Sequence, residues 1–143
     1  MITVAAINEF WERKSSNNRD GENWRGSNFR PEANIIAHGV HVYTTDIMNS
    51  GGYNPSGSYT SIFNGTFAAT PHVAGVAALI LSVNLNLTAK EAEEILKQTT
   101  DDISPVGNDD FTGSGRVNAF KAVERVQKIL YNNSIEESVE IFV

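Results

Sequence analysis

The chain has 143 residues, of which 41% are hydrophobic and 20% charged, enough apolar material for one core, and one domain is the expectation at this length. Its formal charge of −6, with no basic cluster, argues against nucleic acid, which needs a cationic footprint for its phosphates. The absence of cysteine excludes a disulfide framework, thiolate chemistry and a cysteine-ligated metal.

Residues 1–7, Met-Ile-Thr-Val-Ala-Ala-Ile, form a short apolar run with β-branched members, the pattern of a strand buried on both faces. They carry no basic n-region, and the longest apolar run, within residues 73–81, is too short to span a bilayer. A soluble chain without a signal peptide or a membrane partner is expected. Residues 8–26 turn polar and read as an exposed loop, with Trp11 and Trp24 packing its ends onto the body. Residues 27–45 contain two β-rich runs interrupted by Gly39. Residues 46–59 are rich in glycine, asparagine and serine, with Asn54-Pro55-Ser56-Gly57 as a turn. A short strand through Ile62 and Phe63 follows.

The most informative stretch is Asn64-Gly65-Thr66-Phe67-Ala68-Ala69-Thr70-Pro71-His72-Val73-Ala74-Gly75, which runs into Val76-Ala77-Ala78-Leu79-Ile80-Leu81. It predicts a glycine-permitted turn leading into a buried helix, with Thr70 as the cap and Pro71 in the first turn. A residue at such a turn has free backbone N–H groups and the positive end of a helix beside it, which suits a nucleophile and an oxyanion. That residue is Phe67. Thr88 to Glu91 has the form of a capping box, and a second helix then places Ala92, Ile95 and Leu96 on one face. Asp101-Asp102 and Asp109-Asp110 are carboxylate pairs in loops. Calcium would need several converging oxygens, so they read as solvated acids, and neither a metal nor a cofactor is expected. Gly113-Ser114-Gly115-Arg116-Val117-Asn118 leads into a last helix capped by Asn118 and running to about Leu130. Residues 132–143 read as a frayed or linker tail.

These motifs together resemble the subtilisin-like serine proteases, the subtilase family. Residues 64–75 are similar to the nucleophile motif G-T-S-x-A-[TS]-P-H-V-A-G, with matches at Gly65, Thr66, Pro71, His72 and Gly75. Residues 1–7 look like the family strand V-I-x-V-[GA]-A-[VI]. Residues 27–45 resemble S-[NS]-[FY]-G-x-x-x-D-[IV]-x-A-P-G-V, departing at Arg30 for glycine, Asn34 for aspartate and His38 for proline. Gly113, Gly115 and Asn118 match the closing motif G-x-G-x-[VIL]-[ND]-A.

The resemblance implies an α/β fold, the C-terminal half of a doubly wound parallel sheet in a three-layer αβα arrangement with about three helices. Residues 1–131 would be the subtilase-like domain and 132–143 the tail. It implies a peptide cleft lined by Ile62, Phe63, Asn64, Gly65, Thr66 and Ala68, with Phe67 where the family has its catalytic serine. His38-Gly39-Val40-His41-Val42 superficially matches the family's catalytic-histidine motif, with Asp20 upstream. That reading is rejected, because the family's histidine opens a helix far upstream of the serine, whereas His38 lies in a β-rich segment close to Phe67, and Asp20 sits in a polar turn.

Two functions follow. One is the C-terminal part of a subtilisin-like endopeptidase domain, inactive because serine, histidine and aspartate of the triad are missing here. The other is a non-catalytic module that binds a peptide or protein. The partners expected are a second copy of the chain or a companion chain supplying the N-terminal half of the domain, with a peptide as ligand.

Overall fold

In the computed structural model, which describes residues 1–23, 25–28, 33–103 and 106–140, four strands and three helices follow one another. They are β1 (Val4–Ile7), β2 (Ile35–His38), β3 (Val42–Thr45), β4 (Tyr59–Phe63), α1 (Thr66–Val83), α2 (Ala89–Gln98) and α3 (Ala119–Glu140). Trp24, the departure at Arg30 and the last three residues of the tail lie outside the described residues.

The apolar sequences of β1 and β2 leave neither strand a polar face, so the two pair in parallel, Val4 opposite Ile35 and Ile7 opposite His38, with both faces covered. The free edge of β2 takes up the closing segment: Ile36 N–H donates to the Gly115 carbonyl and Val117 N–H to the Ile36 carbonyl, both at 3.0 Å. β3 and β4 pair antiparallel as a separate ribbon. The sheet is therefore two small pieces, of which only the first continues a parallel order.

Side chains alternate across the first pair. Ala6, Ile35 and Ala37 join Val73, Val76 and Ile80 of α1, Leu96 of α2 and Val126 of α3 in the main core. Ala5, Ile7 and Ile36 point the other way and meet Ala33 and Ile103. The three helices thus pack on one face of the β1–β2 pair, and among the described residues no helix covers the opposite face. Each fully buried valine, isoleucine or leucine of this core contributes on the order of 1.5–3 kcal/mol by leaving water. As predicted, α2 buries Ala92, Ile95 and Leu96 and starts in a capping box between Thr88 and Glu91.

Four local expectations are corrected. The loop of residues 8–26 is polar but not wholly exposed: Asn8, Lys14 and Asp20 are buried. Lys14 N–H donates to the Ala6 carbonyl and Ser27 N–H to the Lys14 carbonyl, both at 2.8 Å, so this loop closes the outer edge of β1, whose backbone groups would otherwise lack partners. Lys14 Nζ meets Asp20 at 2.8 Å with side chains 4% and 0% exposed, and the Ser15 and Glu22 carbonyls also accept from it. Second, α1 begins at Thr66, so Pro71 lies inside it, and Thr70 is no cap; its hydroxyl donates back to the Thr66 carbonyl at 2.9 Å. A proline here removes the bond that would have been donated to the Phe67 carbonyl and sets its ring against that carbonyl. Third, α3 continues past Leu130 to Glu140, so most of the tail is helix. Fourth, Asp101 is no solvated acid: Arg116, Lys121 and Asn118 all bond it.

With 18 residues and a mean hydropathy of 1.6, α1 has the length and composition of a membrane span. Its Ala69, Val73, Val76 and Ile80 are nonetheless buried in the core described above.

Candidate active site

The turn before α1 is pinned to the carboxyl ends of the parallel strands. Gly39 N–H donates to the Ile7 carbonyl at 3.0 Å, and Gly65 N–H to the Gly39 carbonyl at 2.7 Å. Crevices outside strand carboxyl ends are where open α/β sheets bind ligands. Gly65 has φ +141°, a conformation that requires glycine, and a Cβ there would push the exposed Phe67 ring aside. Its carbonyl accepts from Ala68 and Ala69 N–H. The N–H groups of Thr66 and Phe67 have no acceptor among the described residues, as the first N–H groups of a helix do not. Together with the helix dipole they make a locally positive patch.

Phe67 stands on that patch, 60% exposed, with its ring edge-on to Phe63 at 5.3 Å. Ile62 is exposed beside it, Phe63 is half-buried, and Ala68 is buried beneath. Asn64 is buried and fully engaged. Its Oδ1 accepts from His41 N–H, its Nδ2 donates to Glu22 at 2.5 Å, and its carbonyl accepts from Arg25 at 3.2 Å. Of the motif residues, Pro71 and Gly75 lie on the outer face of α1 and His72 sets Nδ1 3.0 Å from the Ala68 carbonyl. Gly113 and Gly115 fold the closing segment onto β2, and Asn118 Oδ1 caps α3 by accepting from Lys121 N–H at 3.0 Å.

Sequence reasoning missed that all three histidines gather near Glu9. His41 Nδ1 lies 3.2 Å from Glu9 Oε1, with φ +51°. His38 and His72 line a cavity of about 520 Å³ together with Glu9 and Trp11. Burial, and then the neighbouring His72, hold the His38 imidazole below its ordinary value. No periodicity or spacing signals this cluster, because Glu9, His38 and His72 come from three elements that only the parallel pairing aligns. Among the described residues no group of three or more histidine, aspartate or glutamate side chains is arranged to hold a metal ion. Asp20 is committed to Lys14, Asn8 and the Glu22 N–H and bonds no histidine, in keeping with the rejected triad reading. Trp11 is 55% exposed and meets the body through the Arg116 guanidinium, 3.4 Å from its ring centre.

A family model described as "Subtilase family" matches residues 1–115. A calcium-dependent protease of Trichormus variabilis is 37% identical over 139 residues, covering 87% of this chain and 21% of that protein. Subtilisin E of Bacillus subtilis is 35% identical over 123 residues, covering 86% and 26%. Among solved structures, fervidolysin from Fervidobacterium pennivorans, a keratinolytic enzyme related to subtilisin, aligns with a TM-score of 0.65 and 26% identity over 87% of this chain and 19% of its own. A serine protease of Aeromonas sobria aligns with a TM-score of 0.69 at 19% identity, covering 85% and 28%, a likeness of fold. The chain spans about a fifth to a quarter of the length of these two curated relatives.

Proposed function

The chain belongs to the subtilase family and corresponds to the C-terminal part of a subtilisin-like serine endopeptidase domain, and from that premise we propose that it is catalytically silent as it stands. The observation that carries this reading is the side chain at position 67. In the family motif that position holds the serine that attacks the peptide carbonyl; a benzyl group has no lone pair to do so. What remains at the turn is the electrostatic half of an acyl-transfer site, two free N–H groups at a helix N-terminus. The engagement of Asp20 with Lys14 rather than with a histidine supports the absence of an assembled triad within this chain.

Incubation with a fluorophosphonate probe tests the reading. No covalent adduct is expected, and stoichiometric labelling of a serine or threonine, Thr66 being the adjacent hydroxyl, would overturn it.

A binding role is the second reading, and the outer face of α1 favours it. Phe67 and Leu79 are 60% and 49% exposed on a helix with no charged side chain, whose polar members are Thr66, Thr70, His72 and Ser82, and a Cβ at Gly75 would meet nothing within 4 Å. The partner proposed for this face is a second copy of the chain or a companion chain supplying the N-terminal half of a subtilase domain.

A further inference from the structure

We propose that the three histidines form an acid-operated latch on the turn before α1, closed at neutral pH and released when His38 is protonated beside His72. They are all the histidines the chain has, and they reach one place from two sides. His38 ends β2 and His41 follows in the turn, while His72 lies in the second turn of α1. His38 and His72 line the cavity of about 520 Å³ at the strand ends, and His41 stands against Glu9 at 3.2 Å.

What the latch holds is the least secured part of α1. The helix starts after Gly65 with no side-chain cap, and Pro71 removes the bond that the Phe67 carbonyl would have accepted. Of the first turn only Ala68 and Ala69 are buried, and alanine contributes little apolar area. This turn therefore depends on contacts made from outside the helix, and residues 38–41 supply two of them. The Gly39 carbonyl accepts from Gly65 N–H at 2.7 Å, and His41 N–H donates to Asn64 Oδ1. His41 has φ +51°, a conformation that a residue with a side chain keeps only while its surroundings fix it. From the helix itself, His72 sets Nδ1 3.0 Å from the Ala68 carbonyl. A few polar contacts around two glycines thus close the joint, which places it at the low-stability end of the fold.

The charges around His38 decide what acid does there. From α1 it meets His72, from the end of β1 Glu9, and from its own turn His41; from the closing segment, Arg116 lines the same cavity. Arg116 is a permanent cation, paired with Asp101 at 2.5 Å, and the start of α1 adds the positive end of its dipole. Among the described residues Glu9 is the one carboxylate in the cavity wall, and it is shared with His41. A proton on His38 enters a site already rich in positive charge, and one on His72 adds repulsion across the joint between β2 and α1. Burial first, and His72 next, hold the His38 imidazole below its ordinary value, against the raising effects of Glu9 and of its bond to the Asn8 backbone. A folded-state value depressed below the ordinary 6.5 means that the opened turn takes up the proton more readily than the closed one. The closed state is therefore fully favoured above that pH and loses ground as pH falls below it.

Amide hydrogen exchange of the isotope-labelled full chain, read by NMR as protection factors, tests the latch, because protection factors are already corrected for the pH dependence of exchange itself. Between about pH 7.5 and pH 5.5, the protection of Gly65 N–H should fall about threefold or more relative to that of Leu96 in α2, which shares the core but not the histidines. His38→Gln keeps an N–H donor for the Asn8 carbonyl but does not titrate, so in that variant the relative change should stay within about 1.5-fold. Should His38→Gln fail to fold, the ring titration of the unaltered chain decides: His38 should titrate below about 6.5, and a midpoint at or above that value would overturn the latch. A relative protection independent of pH, an equal fall in the His38→Gln chain, or a fall that only His41→Gln abolishes would overturn it as well.

Discussion

At position 67 one side chain separates a catalytic turn from a binding surface. The glycine two residues before it, the free N–H groups of Thr66 and of Phe67 itself and the helix dipole are all present at this turn, and the nucleophile is not. Phe67→Ser should therefore leave turnover of a peptide p-nitroanilide within about twofold of the unaltered chain, because a serine without a general base stays protonated and weakly nucleophilic. Kinetic assay of the purified variant checks this. Turnover that disappears again in the double variant Phe67→Ser/His41→Ala would instead identify His41, whose Nδ1 faces Glu9, as a base. The substitution at position 67 is visible in the sequence against the motif around it. The Glu9–His41 pair is not, since nothing local says that the end of β1 and the turn after β2 meet.

Among the elements, the closing segment shows most clearly how a motif acts through packing. Gly115 has φ +114°, and a Cβ there would lie 2.4 Å from the Asp101 carbonyl, so this glycine lets residues 113–117 run between β2 and the Asp101 backbone. Asp101 then collects Arg116, Lys121 at 2.8 Å and Asn118 at 3.0 Å. Arg116 above all, then Lys121, hold its carboxyl well below the usual carboxylate range, against the opposing effect of partial burial. A depressed folded-state pKa means stability that is present above the unfolded value of about 3.8 and is lost as pH falls toward the folded one. Asp101→Asn should cost about 1–2 kcal/mol at pH 7, discounted for its partial exposure. The gap between the two proteins should shrink below about pH 4. Urea denaturation at pH 7 and pH 3 measures both, and a pH-independent difference would refute the electrostatic origin. The sequence identified the two glycines and the Asn118 cap, but it marked Asp101 as a solvated acid, because its three partners lie 15 to 20 residues further along the chain.

For the whole molecule, the expectation is association. Both faces of the β1–β2 pair are buried within the chain, but α1 leaves Phe67 and Leu79 in solvent together with the small residues of its outer face. Removing such surface from water gains roughly 25 cal/mol per Å², and patches beyond a few hundred Å² or so are rare on monomers. Light scattering at micromolar concentration should give a mass above that of a single chain. A sharp monomer mass with cooperative thermal unfolding would show that the chain closes its own core.

The helices, the parallel-type strands and the nucleophile turn were legible in the sequence because each rests on local signals: apolar periodicity, a capping box, and glycines where backbone conformation demands them. Membership of the family was legible for the same reason, since its motifs are contiguous. What only the tertiary structure decided are the long-range matters. The pairing of β3 with β4 into an antiparallel ribbon stacked Tyr43 on Tyr59. The edge of β1 drew Lys14 and Asp20 into a buried pair, and residues distant in sequence converged on Glu9 and Asp101. The helical start at Thr66 belongs with these, because the bond from Gly65 to Gly39 fixes where the chain can begin to coil. Local sequence encodes a residue's own dihedrals and faces; its partners are set by which backbone edges and apolar faces must be satisfied once the elements meet.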